Sequence, residues 1–527
     1  MHPTVLIGLD GATFSVLEPL MAAGHMPNLQ RMVEQGVSAP LLSTANPLTP
    51  PAWTSIVTGR GPGNHGIHDF VRWEERPGTF YFTLYNASDI LCETVWSMAS
   101  RQGRTVTHLN FPMMAPPRPV NGFVIPAMVQ WRHMRKNVHP GSLVEMLKAI
   151  PGFRPEEWGL TYCEANEAMR LRAQHPKEEK EWVERNISRD HQWFLILAWL
   201  MERHPSDLTA IVFDGVDKLQ HLCWYLLDPD HLPDQLEEWE ARMRGYLLDY
   251  FRGIDGYLGR VRDLAGEQAN IFIVSDHGFG PTRYVFHVNT LLEKLGYLAW
   301  LDKDDRKGRD TNHEWSFANL DWRKTTAYVG TPSSNGVCLR AAGEPGERRL
   351  AGEEYHRLRE KVRNDLLAFR DPVTGEQIVS RVLYREEAVP GPAMDKAPDL
   401  FLTLSDCSFV SVVREEPIVL HRPKINGTHR PQGVFIGHGP GLNRGVRLSP
   451  RSLLDITPTL LYSLGLPVPE DMEGRVMEGA FSEDQLAARP ICGTGATSAT
   501  ATASADPYSK EEEETIFSQL RALGYME

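Results

Sequence analysis

Three stretches of the sequence end an apolar run in residue types that bind cations. Ile271-Phe272-Ile273-Val274 leads through Ser275 into Asp276-His277-Gly278. Val5-Leu6-Ile7-Gly8-Leu9 leads into Asp10-Gly11, and Leu208 to Phe213 into Asp214-Gly215-Val216-Asp217. Short apolar runs rich in β-branched residues read as buried strands of a parallel sheet. In open α/β sheets, ligands sit beyond the carboxyl ends of such strands. Asp and His together form a zinc-type donor set, and carboxylate-rich sets also suit manganese. Asp217 and His221 are four apart, which in a helical turn puts them on one face. They can share a cation there or form an ordinary ion pair. Asp214, directly at the strand end, competes with Asp217. Gly278 either turns the chain away sharply or lets a ligand approach the backbone.

A hydroxyl nucleophile has one favoured place. In Asn46-Pro47-Leu48-Thr49-Pro50-Pro51-Ala52 the prolines remove donors and push their neighbours to extended forms. From Ala52 the pattern reads as a helix, with Pro51 near its first turn and Gly59 past its end. Thr49 therefore stands at or just before a helix N-terminus. That is a capping position, and it is also where an anion binds. Thr54 and Ser55 fall inside the helix, where hydroxyls tend to bond back to the backbone. Gly427 to Gly433, carrying His429, reads as a loop before the strand Val434 to His438. His421 and His438 are the alternatives to His429. Trp53, Tyr81 and Tyr85 either pack in the core or stack on a nucleobase or aryl group.

The elements that must position these groups form an α/β pattern. Helical periodicity follows Asp10, a helix spans Glu93 to Arg101, strands cover 105–109 and 122–125, and a long amphipathic helix covers Glu237 to Val261. The fold class expected is a three-layer α/β/α sandwich with a mostly parallel central sheet and inserted cap segments. Residues 1–488 form the catalytic unit, with insertions at about 130–205 and 300–398. Residues 489–508 read as a flexible Ala/Thr/Ser/Gly-rich linker and 509–527 as a terminal helix. His133, His139, His175, His191 and His204 lie in the first insertion without a ligand pattern and are taken as surface residues.

The chain has 527 residues, 42% hydrophobic and 23% charged, enough for a substantial core. A net charge of −13 argues against a nucleic-acid polymer or an anionic membrane as partner. Bound cations could still invert the local field for a small anionic substrate. Six scattered cysteines without a Cys-x-x-Cys favour a reduced compartment. No apolar run approaches the roughly 18 residues of a membrane span, and the start of the chain has no secretory pattern. A cytoplasmic location is the expectation; oligomeric state is left open.

In this order the motifs resemble the alkaline phosphatase superfamily, and most closely its type I phosphodiesterase/nucleotide pyrophosphatase branch. The resemblance rests on Asp10-Gly11, Thr49 to Gly59, Asp214 to His221, Ser275 to Gly278, Gly427-Thr428-His429 and Asp455-Ile456-Thr457-Pro458. It implies a metal-dependent hydrolase of small phosphoesters, most readily a phosphodiesterase or pyrophosphatase. It implies two metal ions, zinc foremost and manganese possible in type. One would be held by Asp10, Thr49, Asp276 and His277, the other by Asp217, His221 and His429. Thr49 would be the nucleophile, and Trp53 a substrate contact. A phosphomonoesterase or a phosphotransferase resembling a phosphomutase could use the same site, and a non-catalytic scaffold could keep the fold. The family's asparagine shortly after the nucleophile is missing: none follows Thr49 before Asn64. Backbone N–H groups at the helix start, or another side chain, must take its place. No Cys-x-Pro-Ser/Ala-Arg motif is present, which argues against a sulfatase.

Overall fold

The structure, a computed structural model, describes residues 2–76, 79–158, 176–302, 319–343, 350–495, 508, 510–522 and 525–526. Its frame is a nine-stranded sheet. The strands are β1 (Thr4–Leu9), β2 (Val37–Leu42), β3 (Val106–Leu109), β4 (Gly122–Ile125), β5 (Leu208–Phe213) and β6 (Asn270–Val274). After a second sheet come β9 (Gln432–His438), β10 (Val446–Arg447) and β11 (Arg451–Ser452). The spatial order is β10-β2-β9-β6-β1-β5-β3-β4, with β11 also on β2. The five strands from β6 to β4 are mutually parallel, and β9 runs antiparallel to both β6 and β2. Because β1, β5 and β6 are parallel and adjacent, their carboxyl ends share one edge, which brings Asp10, the Asp214–Asp217 turn and Asp276 together.

Side chains alternate across the sheet, as a strand's period of two requires. Val5, Ile7, Leu9, Ile211, Phe213, Ile271 and Ile273 enter the core on one face. Leu6, Leu208, Ala210, Val212, Phe272 and Val274 enter the core on the other. Helices cover both faces, so the architecture is the three-layer α/β/α sandwich with a mostly parallel sheet. The first face carries α2 (Gly215–Leu227), α3 (Glu238–Ala265) and the helix Pro176–Arg203, whose Trp193, Ile196, Leu197 and Leu200 are buried there. This part of the 130–205 stretch is thus a layer of the sandwich. His133, His139, His191 and His204 are partly buried along it, and His175 lies outside the described residues. The second face carries α1 (Thr49–Thr58), which starts three residues earlier than the prolines suggest because Pro is well tolerated in a helix's first turn.

A separate core is built by a four-stranded sheet of Ala327–Val329, Gly336–Leu339, Leu400–Leu404 and Val379–Tyr384 with the helix Gly352–Ala368. A third sheet pairs β7 (Gly278–His287) with β8 (Val419–Arg430). The stretch around His429, expected as a loop, is therefore a strand. Gly427 to Arg430 align with Pro281 to Gly278 in this pairing. Of the linker, residues 496–507 lie outside the described residues, and Gly493–Thr494 pairs with Val468–Pro469. The last helix, α4, spans Lys510–Ala522. No helix among the described residues is long and apolar enough to cross a membrane.

Candidate metal centre

Asp10 follows β1, and Gly11 then takes φ +65°, a left-handed conformation that favours glycine. A Cβ at Gly11 would stand 2.9 Å from Phe279 and 3.2 Å from Asp217 Oδ1, so this turn also needs the space. The Gly11 N–H donates to Asp276 Oδ1 at 3.2 Å, tying two strand ends together. Gly278 starts β7 beside the crossing chain, where a Cβ would meet the Gln432 carbonyl oxygen at 1.9 Å. Neither a sharp turn nor ligand access explains this glycine; a close backbone crossing does.

Two overlapping sets of ligand-type atoms result. His277 Nε2 stands 3.5 Å from Asp10 Oδ1, 3.3 Å from Asp276 Oδ2 and 3.4 Å from Thr49 Oγ1. Asp217 Oδ1 stands 3.1 Å from His429 Nε2, 3.5 Å from His221 Nε2 and 4.0 Å from His277 Nε2. The Nε2 atoms of His221 and His429 are 3.1 Å apart. Among the described residues, Asp10, Asp276 and His277 form one buried group able to hold a metal, and Asp217, His277 and His429 another.

The imidazoles are oriented from behind. His277 Nδ1 bonds the Gly278 carbonyl at 3.1 Å, and His429 Nδ1 bonds the Pro47 carbonyl at 2.7 Å. A carbonyl only accepts, so both protons sit on Nδ1 and both Nε2 lone pairs face the cluster. The indole N–H of Trp53 donates to Asp10 Oδ2 at 3.2 Å.

The electrostatics call for a cation. Burial pushes the Asp10 carboxyl well up, and the Asp276 and Asp217 carboxylates push it further. Burial does the same to Asp276. Burial would raise Asp217 too, but His221 and His429 hold it well below the usual carboxylate range. Burial drives His277 and His429 down, towards the neutral form that binds metal. Asp10 Oδ1 and Asp276 Oδ2 are buried without a hydrogen-bond partner. Buried acids crowded so closely stay ionised only beside positive charge, so this donor set fits divalent cations.

The sequence matches the family model for type I phosphodiesterase / nucleotide pyrophosphatase over residues 4–432. The chain belongs to that family. It is thereby a phosphoester hydrolase of the phosphodiesterase/pyrophosphatase type. Similar solved structures include murine ectonucleotide pyrophosphatase / phosphodiesterase 5, 13% identical with a TM-score of 0.48, covering 88% of this chain and 95% of that one. Another is phosphonoacetate hydrolase from Sinorhizobium meliloti 1021 in complex with phosphonoformate, 18% identical with a TM-score of 0.49 and the same coverage. A search of curated proteins finds no match.

Within this type I phosphodiesterase family chain, the competing residues part company. Asp214 belongs to neither ligand group and is ion-paired with Arg189 and, at 2.8 Å, with Lys218. His421 bonds Asp371 at 2.7 Å. His438 lies at the far end of β9, opposite Ile271. Ser55 Oγ is 2.9 Å from His65 Nε2 inside the core, and Thr54 is fully buried. Trp53 is 1% exposed, its ring edge-on to Phe111. It cannot stack on a substrate from there; its contact with the centre is the hydrogen bond to Asp10. The side chain of Tyr81 lies outside the described residues. The helix start offers fewer donors than expected: Pro50 and Pro51 have no N–H, and the Ala52 N–H bonds the Leu48 carbonyl at 3.0 Å. Thr49 contributes the remaining N–H of that turn.

One residue at the centre carries no sequence signal at all. The phenol oxygen of Tyr525 lies 2.9 Å from His429 Nε2 and 3.1 Å from His221 Nε2. Beyond Tyr525 opens a cavity of about 740 Å³ lined by Asp69, Arg72, Tyr85, Arg340, Arg385 and Lys396, among others. Asp69 and Ser334 line it; their sequence neighbours Phe70 and Ser333 touch Tyr525.

Proposed function

We propose that the chain hydrolyses small phosphodiesters or pyrophosphates with Thr49 as nucleophile at a centre for two divalent metals. The observation that carries this reading is the pair of ligand sets converging on one buried edge, with Thr49 Oγ1 3.4 Å from His277 Nε2. Asp10, Thr49, Asp276 and His277 would hold one metal. Asp217, His221 and His429 would hold the other. Oxygen and imidazole donors favour zinc, and manganese is compatible. When bound, two such ions supply positive charge for the phosphoryl oxygens and lower the pKa of a coordinated hydroxyl.

The chain's own groups do the rest. Thr49 Oγ1 gives up its proton to solvent and attacks phosphorus, and the leaving oxygen departs with the bonding electrons and takes up a proton from solvent. Water then displaces Thr49 from phosphorus and restores the hydroxyl. The Thr49 N–H, at a helix N-terminus, faces developing negative charge. The hydrogen bond that Trp53 donates to Asp10, and those that the Gly278 and Pro47 carbonyls accept from His277 and His429, keep the carboxylate and the imidazoles aimed. The neighbouring cavity, lined by Arg72, Arg340, Arg385 and Lys396 together with Asp69, Asp395 and Asp399, has the size for a small-molecule substrate.

The test is a substrate panel on protein reconstituted with zinc or manganese: bis(p-nitrophenyl) phosphate, p-nitrophenyl phosphate and a dinucleoside pyrophosphate, with Thr49→Ala as control. Diester or pyrophosphate turnover that the variant loses supports the reading. Faster monoester turnover would make it a phosphomonoesterase. Turnover of none of the three, or full activity in Thr49→Ala, contradicts it.

A further inference from the structure

The second ligand set has three protein atoms, and a fourth stands beside them. Asp217 Oδ1, His221 Nε2 and His429 Nε2 are separated by 3.5, 3.1 and 3.1 Å. Tyr525 Oη is 3.1 Å from His221 Nε2 and 2.9 Å from His429 Nε2. A tetrahedron with bonds of ~2.0–2.1 Å has edges of about 3.3–3.4 Å. The five spacings, 2.9–3.5 Å, bracket those edges. A single hydrogen bond would account for one of these contacts; Tyr525 Oη reaches both nitrogens, at 3.1 and 2.9 Å.

Resting on the two-metal reading, we propose that Tyr525 is the fourth ligand of the second metal and closes its open coordination position in the resting protein. Catalytic zinc sites hold three protein ligands and leave the fourth position to water or substrate. Here the chain fills that position itself, and a phosphoester must replace the phenol oxygen to react.

The tail is built to hold this oxygen in place. Ile516 and Leu520 of α4 are 1% exposed within the core on the second face of the sheet. The Tyr525 N–H donates to the Leu520 carbonyl at 2.8 Å. Ser333 Oγ donates to the Tyr525 carbonyl at 3.0 Å. The ring stacks on Phe70 with centroids 4.9 Å apart and meets Phe409 edge-on at 5.7 Å. Tyr525 is 2% exposed, so its hydroxyl faces the cluster and not solvent. Since only ring stacking and backbone bonds anchor the residue besides its oxygen, removing the oxygen should leave the tail docked.

The test compares wild type with Tyr525→Phe in the full-length protein, with His221→Ala as a control for the second site. Metal content is measured on zinc-loaded protein, zinc affinity by chelator competition, and visible absorption on ferric-loaded protein, where a phenol-derived ligand gives a charge-transfer band. Wild type should show the band, inorganic phosphate should bleach it, and Tyr525→Phe should lack it and bind its second zinc about tenfold more weakly or worse. At saturating zinc, KM for bis(p-nitrophenyl) phosphate should decrease in Tyr525→Phe, because an internal competitor is gone. Wild type that binds two metals, with one lost in His221→Ala, but shows no band or a band kept in Tyr525→Phe, overturns this proposal and leaves the two-metal reading intact. A fall in kcat with unchanged zinc affinity also overturns it, since the oxygen would then serve the reaction. Wild type that binds no metal overturns both.

Discussion

Asp69 gives a prediction whose size can be worked from the structure. Its carboxylate is 2% exposed. It accepts hydrogen bonds from Thr331 Oγ1 at 2.6 Å, Ser333 Oγ at 2.7 Å and the Phe70 N–H at 2.6 Å. Burial nevertheless pushes its pKa up from 3.8 to about 6, against those donors. A carboxyl raised in the folded state stabilises the fold below its unfolded pKa. That contribution is lost as pH rises through the folded value. The window therefore runs from about pH 4 to about pH 6. A shift of about 2 units is worth ~3 kcal/mol, of which ~2 kcal/mol falls between pH 4.5 and 7.5. Asp69→Asn cannot ionise, and its amide can keep all three contacts: Oδ1 for Phe70 and Ser333, the amide NH2 towards Thr331 Oγ1. The assay is urea unfolding of both proteins from pH 4.5 to 7.5. The variant should gain on wild type by ~2 kcal/mol across that range. A difference that stays constant with pH would refute the buried, proton-binding role of Asp69.

Four further outcomes are expected. Asp214→Asn should keep both metals, measured by elemental analysis, while Asp217→Asn loses one. Asp214 is engaged by Arg189 and Lys218 and Asp217 faces the histidines. Trp53→Phe removes the donor to Asp10 and should weaken metal binding about 10- to 100-fold in a chelator competition. Gly278→Ala drives a methyl against the Gln432 carbonyl and should cost about 1–3 kcal/mol in urea unfolding, or more if the strand crossing cannot shift. Arg189→Met leaves Asp214 with Lys218 alone and should destabilise by about 3 kcal/mol, with metal content unchanged.

Much of the centre was legible because strands announce themselves locally. The runs ending at Asp10, Phe213 and Val274 are apolar and short, and parallel pairing then sends their carboxyl ends to one edge. Thr49 was legible because prolines punctuate a helix start. The four-residue spacing to His221 and the family resemblance already favour Asp217 over Asp214, and the structure pairs Asp214 with Arg189 and Lys218 while Asp217 Oδ1 stands beside His221 and His429. His429 was found by its context but assigned to a loop. Its strand pairs with β7 across a long sequence separation, and residues with glycine and threonine carry no clear alternation. Trp53 stays open between core and substrate contact in the sequence, which cannot tell a buried indole donating to a carboxylate from an exposed one; the structure buries it with its N–H on Asp10. Tyr525 was invisible. Nothing in the residues around it signals that a segment 304 positions from His221 returns to the same centre.

The central claim is that Thr49 attacks phosphorus. Metal-loaded protein should be mixed with bis(p-nitrophenyl) phosphate, quenched in acid during turnover, digested and mapped by mass spectrometry. A p-nitrophenylphosphoryl group on Thr49, absent from Thr49→Ala and lost on further incubation without substrate, is the predicted result. Steady turnover with no adduct on Thr49 at any quench time, matched by an active Thr49→Ala, would contradict it.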